Sequence, residues 1–299
     1  MRAWSSSRFS VALPAGHRFP IAKYQAVRDG VVARGLLPAD AIHEPERVER
    51  TALVLVHTSE YVASIEDGTL PESAVRRLGF PWGPGLRERS FRTVQGTVEA
   101  ARDALATGAG INLAGGTHHA FAERGEGFCV FNDVAVATRV LQREGQLRRV
   151  AVIDLDVHQG NGTARIFEGD EDVHTFSMHG ERNYPFHREQ SRLDVELPDG
   201  AGDDSYLATL DRHLDEVLDE AAPELVFYLA GADPFAGDRF GRLGLSVDGL
   251  RARDRRVFDA CARRGLPVAV TLAGGYAERM EDIVTIHANT VEELRAAFG

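Results

Sequence analysis

From residue 110 onward, short apolar runs alternate with longer amphipathic stretches, and this alternation restricts the fold more than any other feature of the chain. Residues 110–114 (GINLA), 149–154 (RVAVID), 173–177 (VHTFS), 225–230 (LVFYLA) and 267–273 (PVAVTLA) read as strands. They are short, bounded by polar or glycine residues, and several are rich in β-branched side chains. Residues 132–145, 161–167, 203–221, 246–264 and 280–298 read as helices, with Asp203 or Asp204 and Ser246 placed to cap two of them. Alternation of this kind builds an α/β fold with a central, mainly parallel sheet flanked by helices on both faces. Upstream, 21–34 and 87–107 read as helices, and 79–85 (GFPWGPG) reads as a loop from its proline and glycine density. With no internal repeat or low-complexity segment, one domain over 1–299 is the expectation.

Composition narrows the class. Of the 299 residues, 43% are hydrophobic, enough for a buried core. Asp and Glu number 45 against 34 Lys and Arg, a formal charge of -11. That balance argues against direct nucleic-acid binding, which needs clustered positive charge. It suits a cationic substrate at an active-site mouth, although solubility alone also accounts for it. Cys129 and Cys261 are the two cysteines, too few for a disulfide framework or a Cys-type zinc site. No apolar run approaches the ~20 residues needed to span a bilayer, and the N-terminus lacks the apolar core of a signal peptide. A cytoplasmic protein is expected, its oligomeric state open.

The chemistry-bearing residues share one position: each follows the C-terminal end of an apolar run, where open α/β sheets bind ligands. Gly115-Gly116-Thr117-His118-His119 offers a backbone turn and two imidazoles with ordinary pKa near neutrality. In 154–162 (DLDVHQGNG), Asp154, Asp156 and His158 fall on one face if the extended conformation continues. Two carboxylates and an imidazole side by side, with no lysine or arginine in the segment, call for a cation between them. Asp233, after 225–230, completes a three-ligand set with open positions, the mark of a catalytic rather than a structural metal site. Tyr276, after Gly274 and Gly275, can reach the same cleft with its hydroxyl. Taken singly, each has a plainer reading, as a surface or core histidine, a turn aspartate or a packing tyrosine. Together they point to one site.

These residues resemble a known family. Residues 115–132 (GGTHHAFAERGEGFCVFN), 154–163 (DLDVHQGNGT), 231–234 (GADP) and 274–276 (GGY) resemble the histone deacetylases and their bacterial relatives, and 17–24 (HRFPIAKY) looks most like the class IV, histone-deacetylase-11-like branch. The resemblance implies the arginase/deacetylase-like fold and an amidohydrolase that removes acetyl or longer acyl groups from an amine. It implies Asp156, His158 and Asp233 as ligands of Zn2+, though so oxygen-rich a set also admits Fe2+. His118 and His119 match the histidine pair, supported by Asp154 and Asn161. Tyr276 matches the tyrosine that polarises the substrate carbonyl. Asp154, Asp156, His158, Ser177 and Met178 match a site for K+. Gly127, Phe128, Tyr184 and Gly274 match the acyl-lysine tunnel, with 181–192 shaping its rim. Asn161 stands where several members carry aspartate; a neutral amide orients His119 without holding a positive charge, so His119 is the expected general base and His118 the expected imidazolium.

Three other readings compete. A small-molecule deacylase, such as an acetylpolyamine amidohydrolase, uses the same site with a different rim. An arginase-like two-manganese ureohydrolase needs more bridging carboxylates than Asn161 and Pro234 allow. A non-catalytic acyl-lysine binding protein would be expected to have lost a ligand, a histidine or the tyrosine, and none is lost here.

Overall fold

The structure, a computed structural model, describes residues 1–9 and 11–299. Eight parallel strands form one sheet: β1 (Ala3–Trp4), β2 (Ile42–His43), β3 (Ala109–Asn112), β4 (Val150–Asp154), β5 (Val173–Gly180), β6 (Leu193–Leu197), β7 (Leu225–Leu229) and β8 (Val268–Thr271). Their spatial order is β2-β1-β3-β8-β7-β4-β5-β6, and every pairing is parallel. The fold is the α/β arrangement read from the sequence, with the sheet wholly rather than mainly parallel.

Side-chain alternation divides the core in two. Ala151, Ile153, Val226, Tyr228, Val268 and Val270 face one layer of helices: α1 (Lys23–Ala33), α8 (Asp203–Ala221), α9 (Val247–Arg264) and α10 (Met280–Phe298). Val150, Val152, Leu225, Phe227, Leu229 and Ala269 face the other, built on α5 (Pro84–Thr107) and α6 (Asp133–Arg143), with α3 (Ser59–Asp67) beyond. Strands apolar on both faces are what a sheet covered on both sides requires. Each large apolar side chain so buried contributes about 1.5–3 kcal/mol.

The elements the sequence did not announce are short or peripheral. β1 and β2 are two residues each, and β6 is a half-buried edge strand. Three helices, α2 (Arg50–Leu53), α3 and α4 (Glu72–Leu78), precede α5; α3 is capped by Thr58, whose side chain accepts from the Tyr61 N–H. The loop expected at 79–85 ends two residues early, because Pro84 opens α5. Proline suits a first helical position, where its missing N–H is not needed. β5 continues past 177 to Gly180, fully buried throughout. α7 (Asn161–Ile166) follows the β4 loop. No helix among the described residues is long and apolar enough to cross a membrane.

The order of the strands explains why motifs far apart in sequence meet. β3, β8, β7 and β4 are neighbours in the sheet. Their C-terminal ends carry 115–119, 274–276, 231–234 and 154–162 respectively. Beneath them Arg253 of α9 is wholly buried, and its Nη1 donates to the carbonyls of Leu155 (3.2 Å) and Gly231 (2.6 Å). Its Nε and Nη2 donate to Asp254, whose carboxylate also accepts from Tyr228 and Thr290 hydroxyls. A buried charge satisfied in this way fixes two strand ends to each other.

Candidate active site

The strand does not continue past Asp154, contrary to the simplest expectation, yet Asp156 and His158 still converge. Asp154 Oδ1 accepts from the Asp156 N–H (3.1 Å), and Asp156 Oδ1 accepts from the His158 N–H (3.0 Å). Each carboxylate bonds the backbone two residues on, a local habit of aspartate that replaces the sheet ladder. Asp233 Oδ1 accepts from the Val157 N–H (3.0 Å), and Asp156 Oδ2 from the Gly274 N–H (2.8 Å). These bonds join the ends of β4, β7 and β8.

Asp156, His158 and Asp233 each offer one ligand atom, and these atoms lie within 4.8 Å of one another; they are the one such cluster among the described residues. His158 Nδ1 is 3.0 Å from Asp156 Oδ1 and 3.2 Å from Asp233 Oδ2. Asp233 Oδ2 is buried without a hydrogen-bond partner. Burial opposes charge on His158, yet the neighbouring Asp156 and Asp233 carboxylates pull its pKa up to about 10. An orphaned carboxylate oxygen and a field that favours positive charge fit a divalent cation. There is no room for more side chain around it: a Cβ on Gly274 would collide with the Asp233 and Asp156 carboxylates.

His118 and His119 stand beside this triad, both buried. Their loop is held by Asp133, which accepts from the N–H groups of Gly116 (3.0 Å) and Thr117 (2.7 Å). His118 Nδ1 is 2.6 Å from Asp154 Oδ2. Burial lowers the pKa of His118, but Asp154 and Asp156 more than offset this and raise it to about 9. Burial also raises the Asp154 carboxyl, so desolvation alone would neutralise both partners; the short contact keeps the proton on His118 near neutral pH. His119 Nδ1 is 2.8 Å from Asn161 Oδ1. Burial, then the neighbouring His118 and His158, push His119 well below its ordinary pKa.

A cleft of about 400 Å³ opens above, reaching His119, His158 and Tyr276 at its floor. Gly127 and Phe128 both have left-handed backbone, φ 56° and 67°. A Cβ at Gly127 would lie 2.7 Å from the His119 ring, so glycine is required there. Strain at a non-glycine such as Phe128 is the kind stored at functional sites, and here it sets the Phe128 ring along the wall, 6.2 Å from the Tyr276 ring. Tyr184 closes the other side, edge-on to His119 at 4.9 Å. Tyr276 is pinned through its backbone, its N–H donating to Asp238 Oδ2 (2.6 Å) and its carbonyl accepting from Arg239 Nε (2.9 Å). Burial, then Asp233 and Asp156, raise the pKa of the Tyr276 hydroxyl well above 10, so it stays a donor.

The mouth departs from the expectation drawn from net charge. Arg18, Arg182 and Arg242 line it, and no Asp or Glu does among the described residues. Arg182 and Arg242 share Asp199 outside the cleft, at 3.8 and 3.1 Å. The acidic excess lies elsewhere on the surface.

The site residues expected from the sequence, Ser177 and Met178 apart, therefore lie in or beside this cleft. Asp154 and Ser177 face each other across the β4–β5 pairing, with Met178 next along β5; Ser177 Oγ lies 2.9 Å from His179 Nδ1. Sequence reading missed the supports. Lys23 is buried, its Nζ 3.2 Å from the carbonyls of both Ala273 and Gly275, holding the turn that carries Gly274. A lysine in the buried stripe of α1 was the available signal. His57 bridges the Phe121 carbonyl and the Asn132 N–H (both 3.0 Å), and burial lowers it to about 4, so it serves as a neutral strut. Glu126, Asp133 and Asp238 gave no signal separable from surface acids.

An open three-ligand set, a histidine pair and a donor tyrosine at the carboxyl edge of a parallel sheet suit metal-assisted hydrolysis. Residues 17–291 match the histone deacetylase domain, and the chain belongs to that family as a deacetylase-type hydrolase. It is 44% identical over 276 residues to an uncharacterised protein of Picosynechococcus, covering 92% of each. It is 33% identical over 287 residues to histone deacetylase 2 of Arabidopsis thaliana, covering 93% of this chain and 73% of that one. A solved histone deacetylase homologue from Aquifex aeolicus superposes with a TM-score of 0.83 at 22% identity, covering 98% of this chain and 84% of that one.

Proposed function

We propose that this chain, as one catalytic domain over 1–299, is a zinc-dependent amidohydrolase that removes acetyl or longer acyl groups from lysine side chains in proteins or peptides. The observation that carries the reading is the Asp156–His158–Asp233 triad lying beside a histidine pair, His118 on Asp154 and His119 on Asn161, at the floor of an aromatic cleft. Asp156, His158 and Asp233 would hold a divalent ion, which would supply Lewis acidity and lower the pKa of a water toward neutrality. Zinc is the family's usual ion; the two carboxylates also suit ferrous iron.

The chain's own groups account for the proton transfers. His119, neutral and with Nε2 unprotonated, takes a proton from the attacking water. His118, held as imidazolium by Asp154, gives one to the departing amine. Such transfers contribute roughly 100- to 10,000-fold. The Tyr276 hydroxyl donates to the acyl oxygen as charge grows on it, and losing one such donor costs about 3 kcal/mol. Phe128 and Tyr184 flank the aliphatic stem of lysine, with Gly127 and Gly274 leaving it room. Asp154, Asp156, His158, Ser177 and Met178 would hold K+ behind the site.

The arginine-lined mouth weighs against an acetylated polyamine, whose remaining ammonium groups would meet Arg18, Arg182 and Arg242. It supports an acyl-lysine flanked by acidic residues. The 17–24 motif supports placement in the class IV branch, and two free buried cysteines suit a reducing cytoplasm.

The test is hydrolysis of a fluorogenic acyl-lysine series, acetyl to myristoyl, by zinc-loaded and chelator-stripped protein. Zinc-dependent turnover of any member supports the reading, and the preferred chain length names the acyl group. Turnover of acetylpolyamines alone would move the substrate to small amines. No turnover of either, with metal bound, would leave a binding protein.

A further inference from the structure

The direction in which Asn161 faces is settled by its two neighbours. Its Nδ2 lies 2.9 Å from Glu126 Oε1, and its Oδ1 lies 2.8 Å from His119 Nδ1. A carboxylate oxygen only accepts, so the amide nitrogen faces Glu126. The amide oxygen then faces His119, and it too only accepts. His119 must therefore carry its proton on Nδ1, which leaves Nε2 bare. A flipped Asn161 would present N–H groups to Nδ1 and stabilise the opposite tautomer, whose Nε2 cannot take a proton.

The same Glu126 Oε1 accepts from the Tyr184 hydroxyl at 3.0 Å. Its other oxygen is held by Arg124 Nε at 3.3 Å. The Glu126 side chain is 12% exposed, under the wall of the cleft rather than in it. One carboxylate thus meets both the support of the histidine and the wall of the tunnel.

We propose that Glu126 is a positioning residue of the hydrolysis: through the Asn161 amide it sets the tautomer of His119, and through Tyr184 it fixes the tunnel wall to the same point. The pair Asn161–Glu126 does in two residues what a single aspartate against the histidine would do in one. This rests on His119 acting as the base.

The geometry dictates a test in which two damaging changes repair each other. Glu126→Ala frees the amide to flip, and kcat should fall about 10- to 100-fold, the usual effect of losing an outer support. Asn161→Asp should also fall, because an aspartate oxygen then sits where the amide nitrogen was, 2.9 Å from Glu126 Oε1. In Glu126→Ala/Asn161→Asp, the aspartate accepts directly from His119 Nδ1 with nothing opposing it, so kcat should exceed that of either single variant. A Glu126 that merely supported the fold would leave the double variant no better than Glu126→Ala, and that result overturns the proposal. If Glu126→Ala does not fold, an Asn161→Asp variant with unchanged kcat overturns it instead.

A second readout needs no turnover. Ring nitrogen-15 spectra of the metal-loaded full chain, with His119 assigned by its loss in His119→Ala, should show Nδ1 protonated in the parent and the Nε2 tautomer appearing in Glu126→Ala. An unchanged tautomer refutes the role of Glu126. A changed tautomer in a protein that hydrolyses no acyl-lysine refutes only the substrate reading.

Discussion

The rings of His118 and His119 have centroids 4.1 Å apart, yet their surroundings hold them in opposite protonation states. Asp154 keeps His118 charged up to about pH 9, while burial and the neighbouring imidazoles keep His119 neutral. One pair thereby supplies an acid and a base at the same pH.

His119→Ala should lower kcat roughly 100- to 10,000-fold across the pH range. In the parent, kcat should stay level through neutrality. A raised pKa means the imidazolium is lost only as pH climbs through it, so kcat should fall on the alkaline side, near pH 9. Asp154→Asn removes the charge that holds the proton and should shift that fall to lower pH. Steady-state kcat against pH for the three proteins checks this. A His119→Ala variant retaining most of the rate would reverse the assignment.

Asp233→Ala removes the oxygen that has no other partner. The parent should gain about 2.7 kcal/mol of stability when zinc is present at 100 times its Kd. The variant should lose that gain and bind zinc substoichiometrically. Thermal unfolding with and without zinc, together with metal content, gives the answer; equal stabilisation of both proteins would place the ion elsewhere.

The fold and the site differ in how far the sequence discloses them. The central strands are apolar on both faces and bounded by glycine and polar residues, so 149–154 and 225–230 are visible from pattern alone. β1 and β2 are too short to show any period, and β6, half-exposed at the edge, reads as an ordinary polar segment. Asp156, His158 and Asp233 announce themselves only jointly, because several neighbouring strand ends carry unpaired acids and imidazoles at once. Glu126 and Asp238 do not, because an isolated acid in a loop is unremarkable until a backbone N–H or an amide is found against it. The mouth shows the limit of composition: a net charge of -11 conceals a cleft edged by arginines.

Those arginines should sort substrates. Acyl-lysine peptides flanked by glutamate should have higher kcat/KM than the same peptides flanked by lysine, and the difference should shrink as salt rises. Arg242→Glu should narrow or reverse the preference, acting mainly through KM, because Arg242 lines the mouth and not the floor. Equal kcat/KM for both peptide sets at low salt would remove the rim from specificity.

The last expectation concerns what holds the strand ends together. Arg253 is buried, and its charge is met by the single carboxylate of Asp254. Asp254→Ala leaves the guanidinium without a counter-charge and strips partners from the Tyr228 and Thr290 hydroxyls. Removing one member of a buried pair typically costs roughly 3–5 kcal/mol, because the other remains desolvated and unpaired. Denaturant unfolding of the two proteins should show a loss of that size. Arg253 also bonds the carbonyls beside Asp156 and Asp233, so the variant should bind zinc more weakly even at temperatures where it stays folded. A stability loss below about 1 kcal/mol, as for an exposed ion pair, would mean the Arg253 charge finds water or another acceptor when Asp254 is gone.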